Sequence, residues 1–237
     1  MLSALKCKPQ IGLRPEYVLL RASLAPRSAP GFCRLKGQCY SIWMNEDLFS
    51  LNNRLHTEGK EVIDELGLEN LLSKYGQVFV TGSFAYGVMV DEDIDITVWW
   101  SGATFDSIKI RKTIATDLLS IPTIDSLNIG DREIYPSKYN KAGVWFCPRV
   151  WRNDVLWNID IWVVPEGTKG VTPNTELHKR MLEITEEQKK TILDIKYQCH
   201  KAGLKRRGSI TSTDIYRAVL DDGVDTFEKF ITTRQVM

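Results

Sequence analysis

The stretch Thr81-Gly-Ser-Phe-Ala-Tyr-Gly-Val-Met-Val-Asp-Glu-Asp-Ile-Asp-Ile96 decides the fold. It is reached through Gln77–Thr81 (QVFVT), a short β-branched and aromatic run that predicts a strand. Gly82-Ser83 ends that strand, and Phe84–Val90 predicts one or two helical turns. Asp93–Trp100 (DIDITVWW) predicts a second strand, with Ile94, Ile96 and Val98 on one face. Residues two apart on a strand point the same way, so Asp93 and Asp95 share the other face.

Each of these residue types suits a particular task. Gly82 has no Cβ, so a ligand can approach the backbone closely. Ser83 offers a hydroxyl and an N–H at a helix start, where free N–H groups and the helix dipole favour phosphate. Two neighbouring carboxylates repel unless a cation joins them. Oxygen-only ligands suit Mg²⁺ (or Mn²⁺), which binds through one or two carboxylates together with substrate phosphate oxygens. A third acid fits the scheme. In Asn158-Ile-Asp-Ile-Trp162, Asp160 interrupts an apolar strand, with Ile159, Ile161 and Val163 on one side and Leu156, Asn158 and Asp160 on the other. A charge on a central strand needs a partner, and a shared metal ion would supply one. The pattern suits a metal–nucleoside triphosphate, with Asp160 taking the proton of an attacking hydroxyl.

Gly82-Ser83, then Asp93-Ile-Asp95, then a later strand acid at Asp160 resembles the nucleotidyltransferase superfamily typified by DNA polymerase beta. The resemblance spans residues 76–164. The shape of the chain most resembles the small bacterial enzymes of the aminoglycoside and lincosamide type. It implies an α/β (α+β) palm, a mixed sheet flanked by helices. It also implies Mg²⁺-dependent transfer of a nucleoside monophosphate from a triphosphate to a hydroxyl, releasing pyrophosphate. The metal ligands would be Asp93, Asp95 and Asp160, and the phosphate cradle Gly82 and Ser83. Related enzymes often send a helical lysine or tyrosine from the C-terminal part towards the nucleotide, and Lys196, in an apolar helical stretch, is the candidate here. AMP is the expected group, and a small molecule or a protein the expected acceptor. The rival readings are an antitoxin-like binding module with a small helical protein partner and a terminal transferase acting on short RNA.

The rest of the chain frames this core. Asn45–Tyr75 is helical in period, with Gly59 and Gly67 expected to break it. Thr104–Leu119 predicts an amphipathic helix, and residues 121–143 are turn-rich. Val144–Trp151 and Val155–Val164 predict strands joined by a three-residue loop, Arg152-Asn153-Asp154. Thr175–Ala202 reads as one long helix, followed by a basic loop and helical segments at Asp214–Leu220 and Thr226–Ile231. The expected division is a basic extension over 1–43, a catalytic domain over 44–171 and a C-terminal helical subdomain over 172–237.

Composition narrows the function classes. The chain has 237 residues, 43% of them hydrophobic and 26% charged, so it can bury a core. No apolar run reaches the roughly 18 residues of a membrane-spanning helix. Residues 1–43 hold seven basic residues and one acid, a net +6. The whole-chain charge of +1 therefore leaves −5 on the remainder, which argues against a long nucleic-acid track. The head can be read as a transit peptide, a disordered basic arm or a stretch ahead of a natural start at Met44, and the last is preferred. Cys147 and Cys199 are the only cysteines beyond it, which favours a reducing, cytoplasmic setting.

Overall fold

The computed structural model describes residues 47–132, 143–168, 175–204 and 210–235. The expected extension over 1–43, the boundary at 171/172 and the basic cluster Lys205-Arg206-Arg207 lie outside the described residues. The architecture is α/β, built on a mixed five-stranded sheet. In chain order the elements are α1 (Leu48–Glu65), α2 (Leu68–Ser73), β1 (Gly76–Thr81), α3 (Gly82–Tyr86), β2 (Asp93–Trp100) and α4 (Ser107–Leu119). Then come β3 (Ile124–Asp131), β4 (Val144–Arg152), β5 (Val155–Pro165), α5 (Glu176–Leu182), α6 (Glu186–Lys201), α7 (Ser212–Leu220) and α8 (Phe227–Gln235).

The strands lie in the order β1-β2-β5-β4-β3. Only the β2–β5 pair is parallel. The alternation read in β2 and β5 decides which face is dry. Ile94, Ile96, Val98, Ile159, Ile161 and Val163 are buried in the main apolar cluster with residues of α1, α2 and α4. The opposite face of the same strands carries Asp93, Asp95, Asn158 and Asp160. A second apolar cluster joins α5 to α8 and takes in Val88 and Val90 from the loop after α3. That loop is the seam between the two cores.

Four sequence expectations differ from the structure. Gly59 does not break α1; it is buried mid-helix, and a Cβ there would come within 2.9 Å of the Phe84 ring and 3.1 Å of Trp157. It is a close-approach glycine. The turn-rich stretch contains an edge strand, β3, paired antiparallel to β4. Arg152 is part of β4 and pairs with Val155, so the hairpin loop is two residues long. Asn153 and Asp154 both have positive φ, 49° and 63°, as a type I′ turn requires. The long C-terminal helix is two helices, because Thr185 opens α6 with a capping box to Gln188.

Candidate active site

Register builds the site. β1 runs antiparallel to β2 with Thr81 opposite Asp95, so Gly82 begins beside Asp95. β5 runs parallel to β2 with Asp95 opposite Asp160 and Asp93 opposite Asn158. On β4, Arg149 lies opposite Asn158 and Phe146 opposite Ile161, which brings Cys147 beside Asp160. Pro148 comes next and has no N–H to give to the ladder. One wet face therefore holds two rows, with neighbouring strands about 4.8 Å apart. The first row is Asp95, Asp160, Cys147. The second is Asp93, Asn158, Arg149.

The three expected carboxylates thus share one face, and Gly82 joins them. Gly82 has φ +66°, and a Cβ there would collide with the Asp95 carboxylate. The close approach that Gly82 permits is that of Asp95. Ser83 is buried, 7% exposed. Its carbonyl accepts the Val88 N–H at 3.0 Å and closes the turn.

The loop leaving α3 is fixed from three sides. Asn52 of α1 is buried, and its Oδ1 accepts the Met89 N–H at 2.8 Å. Lys196 of α6 is fully buried, donates from Nζ to the Val88 carbonyl at 2.6 Å and lies 5.9 Å from the Tyr216 ring centroid. The side chains of Val88, Met89 and Val90 are themselves buried. Lys196 is therefore behind the Gly82-Ser83 turn, in the seam between the cores. Sequence reasoning missed Asn52; its only signal was a polar residue on the apolar side of α1, between Leu51 and Leu55.

Two tyrosines complete that side. Tyr86 bonds through its hydroxyl to His178 Nδ1 at 2.9 Å and meets Tyr216 edge-on at 5.7 Å. Burial pushes the Tyr86 phenol up to about 12, and the Asp95 charge adds to it. The same two causes raise Tyr216. Neither tyrosine was singled out in the sequence.

An open cleft of about 440 Å³ adjoins the carboxylate rows. Its walls include Asp93 and Asp160, but not Gly82, Ser83, Asp95 or Lys196. Asp91, Glu92, Arg149 and His200 also line it. Asp91 Oδ2 lies 3.8 Å from His200 Nδ1. Burial raises the Glu92 carboxyl above its ordinary value. Burial likewise raises Asp160, against hydrogen bonds from Cys147 and Trp145 and the charge of Arg149. The Cys147 thiol, 4% exposed, is pushed up to about 12 by burial and then by Asp160.

A raised carboxyl in the folded chain costs stability while ionised. Its favourable contribution is present in acid and is lost as pH rises through the raised value. Asp160→Asn is therefore expected to melt above the parent protein at neutral pH. The gap should close as the parent takes up its proton, which a melt series from about pH 8 to about pH 4 reads out. A gap that does not change with pH would mean that Asp160 is not held ionised against burial.

The oxygen-only donor set on one face suits a hard divalent cation in chemistry. Among the described residues, however, no group of three or more His, Cys, Asp or Glu side chains is gathered so that it could hold a metal ion. Asp160 is engaged instead by Cys147 and Trp145. Also among the described residues, no helix is long and apolar enough to cross a membrane.

No family model matches the chain, and no curated protein does. Among solved structures it is similar to a cytoplasmic RNA terminal U-transferase, with TM-score 0.48 and 14% identity over 73% of this chain and 50% of that one. It is similar to the non-canonical poly(A) polymerase complex GLD-2–GLD-3, with TM-score 0.47 and 12% identity over 77% and 61%. It is also similar to E. coli MS115-1 CdnC with ATP, with TM-score 0.45 and 18% identity over 77% and 64%. The chain spans between half and just under two thirds of the length of these structures.

Proposed function

We propose that the chain is a nucleotidyltransferase that moves a nucleoside monophosphate, AMP by preference, from a triphosphate to a hydroxyl. The observation that carries this is the pairing of Asp95 with Asp160 in register, with Gly82 pressed against Asp95 at the end of the neighbouring strand. Three acids on one wet face beside a strand-ending glycine form an expensive arrangement for a fold to keep, since the carboxylates repel and Asp160 is partly desolvated. A bound metal–triphosphate relieves that repulsion.

For Mg²⁺ to bind, Asp93, Asp95 and Asp160 would have to draw together on the wet face and Asp160 to leave Cys147 and Trp145; the ion would then supply charge neutralisation at the phosphates. This chain's own residues do the rest. Gly82 leaves room for the Asp95 carboxylate. Asn52 and Lys196 hold the loop that fixes the turn, so Lys196 serves the triphosphate from behind. Asp160 faces the cleft and accepts the proton of the attacking hydroxyl.

Thermal unfolding with ATP, GTP, CTP and UTP, with and without Mg²⁺, tests the reading. A triphosphate at about 100 times its dissociation constant stabilises by about 2.7 kcal/mol, or roughly 5–10 °C for a chain of this size. The shift is expected to need Mg²⁺, to be largest for ATP and to vanish in Asp93→Ala. No shift with any of the four would sink the proposal.

A further inference from the structure

The sheet has two outer strands, β1 and β3, and they end it differently. β3 carries Asp125, exposed, at an irregularity in its register between Ile124 and Ser126. A charge and a bulge are devices that keep a strand edge from pairing with another chain. β1 has neither. Gly76–Thr81 (GQVFVT) holds no charged residue and no proline, and its register with β2 is unbroken. Val80 on this strand is 36% exposed.

The phase of the β1–β2 ladder decides which backbone groups face out. The Tyr75 carbonyl accepts the Ser101 N–H at 3.0 Å. Bonded and non-bonded pairs alternate along an antiparallel ladder, so Gln77, Phe79 and Thr81 turn both backbone groups to β2. Val78 and Val80 turn theirs outward. Among the described residues, none of these outward N–H and C=O groups has a partner. Such a row on an uncharged, apolar strand is a template for a further strand. Val78 and Val80 lie on the dry face, opposite Val98 and Ile96. Phe79 lies on the wet face, its ring 4.7 Å from that of Trp99.

We propose that the outer edge of β1 pairs antiparallel with the same edge of a second copy of this chain, across a twofold axis at Phe79. The strand is complementary to itself in that register. Val78 of each copy exchanges hydrogen bonds with Val80 of the other, and Phe79 meets Phe79 at the axis as a non-bonded pair with Cα atoms about 4.5 Å apart. Aromatic and β-branched cross-strand pairs are favourable, and two copies of an uncharged strand oppose no like charges. A charged strand would instead set its charges against Val78, Phe79 and Val80 with no counter-charge to meet. The contact is isologous, as a twofold dimer requires, and joins two five-stranded sheets into one. A strand of 6 residues a side falls well short of the roughly 20–30 of a standard interface, so the dimer is a weak one that forms and parts in the micromolar range.

The test is sedimentation velocity of the full chain from about 1 to about 300 μM, with amide exchange over the same range. The weight-average mass is expected to rise with concentration from 27.1 kDa towards twice that value. Exchange at Val78 and Val80 should slow at least about threefold. Two variants address the edge and leave the β1–β2 ladder alone. Val80→Lys puts a charge on the edge, and Val80→Pro removes an outward N–H that the single chain does not use. Each should stay at 27.1 kDa throughout. A melting temperature within about 3 °C of the parent at the lowest concentration reports an intact fold. If proline costs the fold, the lysine variant and the wild-type amides still decide. A wild-type chain that stays at 27.1 kDa at every concentration overturns the second copy as the occupant of the edge. So does a dimer that persists in both variants, and so does one whose Val78 and Val80 amides exchange as fast as in the single chain, because it then forms through another surface.

Discussion

Asp95→Asn is expected to lower nucleotidyl transfer by about a thousandfold, close to 4 kcal/mol of transition-state stabilisation. Asp95 is the central acid of the arrangement, with Gly82 on one side and Asp160 in register on the other. Asparagine keeps the size and one carbonyl oxygen but removes the charge that a cation needs. Because the shape is kept, the fold should survive, and the loss should appear in kcat more than in KM for the triphosphate. A second readout checks that the charge, rather than the packing, has been removed. Asp95 is the second cause of the raised Tyr86 phenol, which stands at about 12. Without that charge the phenolate is less disfavoured, so the Tyr86 value must fall. Burial is the larger cause, so it must stay above the ordinary phenol value. Ultraviolet titration of tyrosinate, with Tyr86→Phe as the reference, measures the change. Transfer within tenfold of wild type would remove Asp95 from the mechanism. An unmoved Tyr86 would mean that its phenol does not feel the Asp95 charge.

How much of this was visible in the residues depends on how far apart in the chain the partners lie. The strand, Gly-Ser turn, short helix and acidic strand at 76–100 fall within one local stretch, and local propensity fixes them. The same is true of alternation, which placed Asn158 and Asp160 on one face and Ile159, Ile161 and Val163 on the other. Pairing Asp95 with Asp160 was a different matter. Nothing in a strand's own sequence states which distant strand it will join or in what register; the dry face settles that when Ile94, Ile96, Ile159 and Ile161 pack together. Glycine was the least legible residue. Gly67 breaks the helical run through a left-handed backbone at φ 60°, whereas Gly59 lets a helix lie against Phe84 and Trp157. Both read alike in a helical period. The missed edge strand Ile124–Asp131 contains Asp125, Asn128, Gly130 and Asp131, residue types that propensity assigns to turns, and it takes its order from pairing with β4. The split at Thr185, by contrast, was readable. Thr185-Glu-Glu-Gln188 is a capping-box signature, overridden by the length of the apolar period around it. The burial of Lys196 depended on two elements meeting, since its partner, the Val88 carbonyl, lies 108 residues away.

Gly82→Ala should damage both stability and transfer, and two controls separate the reasons. Alanine at φ +66° takes on left-handed strain of about 1 kcal/mol. Gly67 measures that strain alone, because its φ is +60° and a Cβ there meets nothing within 4 Å. At Gly82 the new methyl also strikes the Asp95 carboxylate. Either the acid rotates away or the β1–α3 turn shifts, and both cost more than the strain. We therefore expect Gly82→Ala to lose about 2 kcal/mol, a fall of roughly 4–8 °C in melting temperature, with Gly67→Ala losing about half as much. Transfer should fall about a hundredfold in Gly82→Ala, because a displacement of Asp95 on the order of 1 Å is enough to spoil the alignment. Gly67→Ala is remote from the wet face and should keep its rate. The Asp95→Ala background supplies the second control. It removes the Cγ and Oδ2 contacts and leaves only the approach to the Asp95 Cβ, at 2.9 Å. If the carboxylate is what the methyl strikes, Gly82→Ala must cost less stability in that background than in the parent, a coupling that a double-mutant cycle in denaturant measures directly. Equal cost in both backgrounds would mean that backbone strain alone selects glycine here, and that the contact between turn and carboxylate does not position the acid.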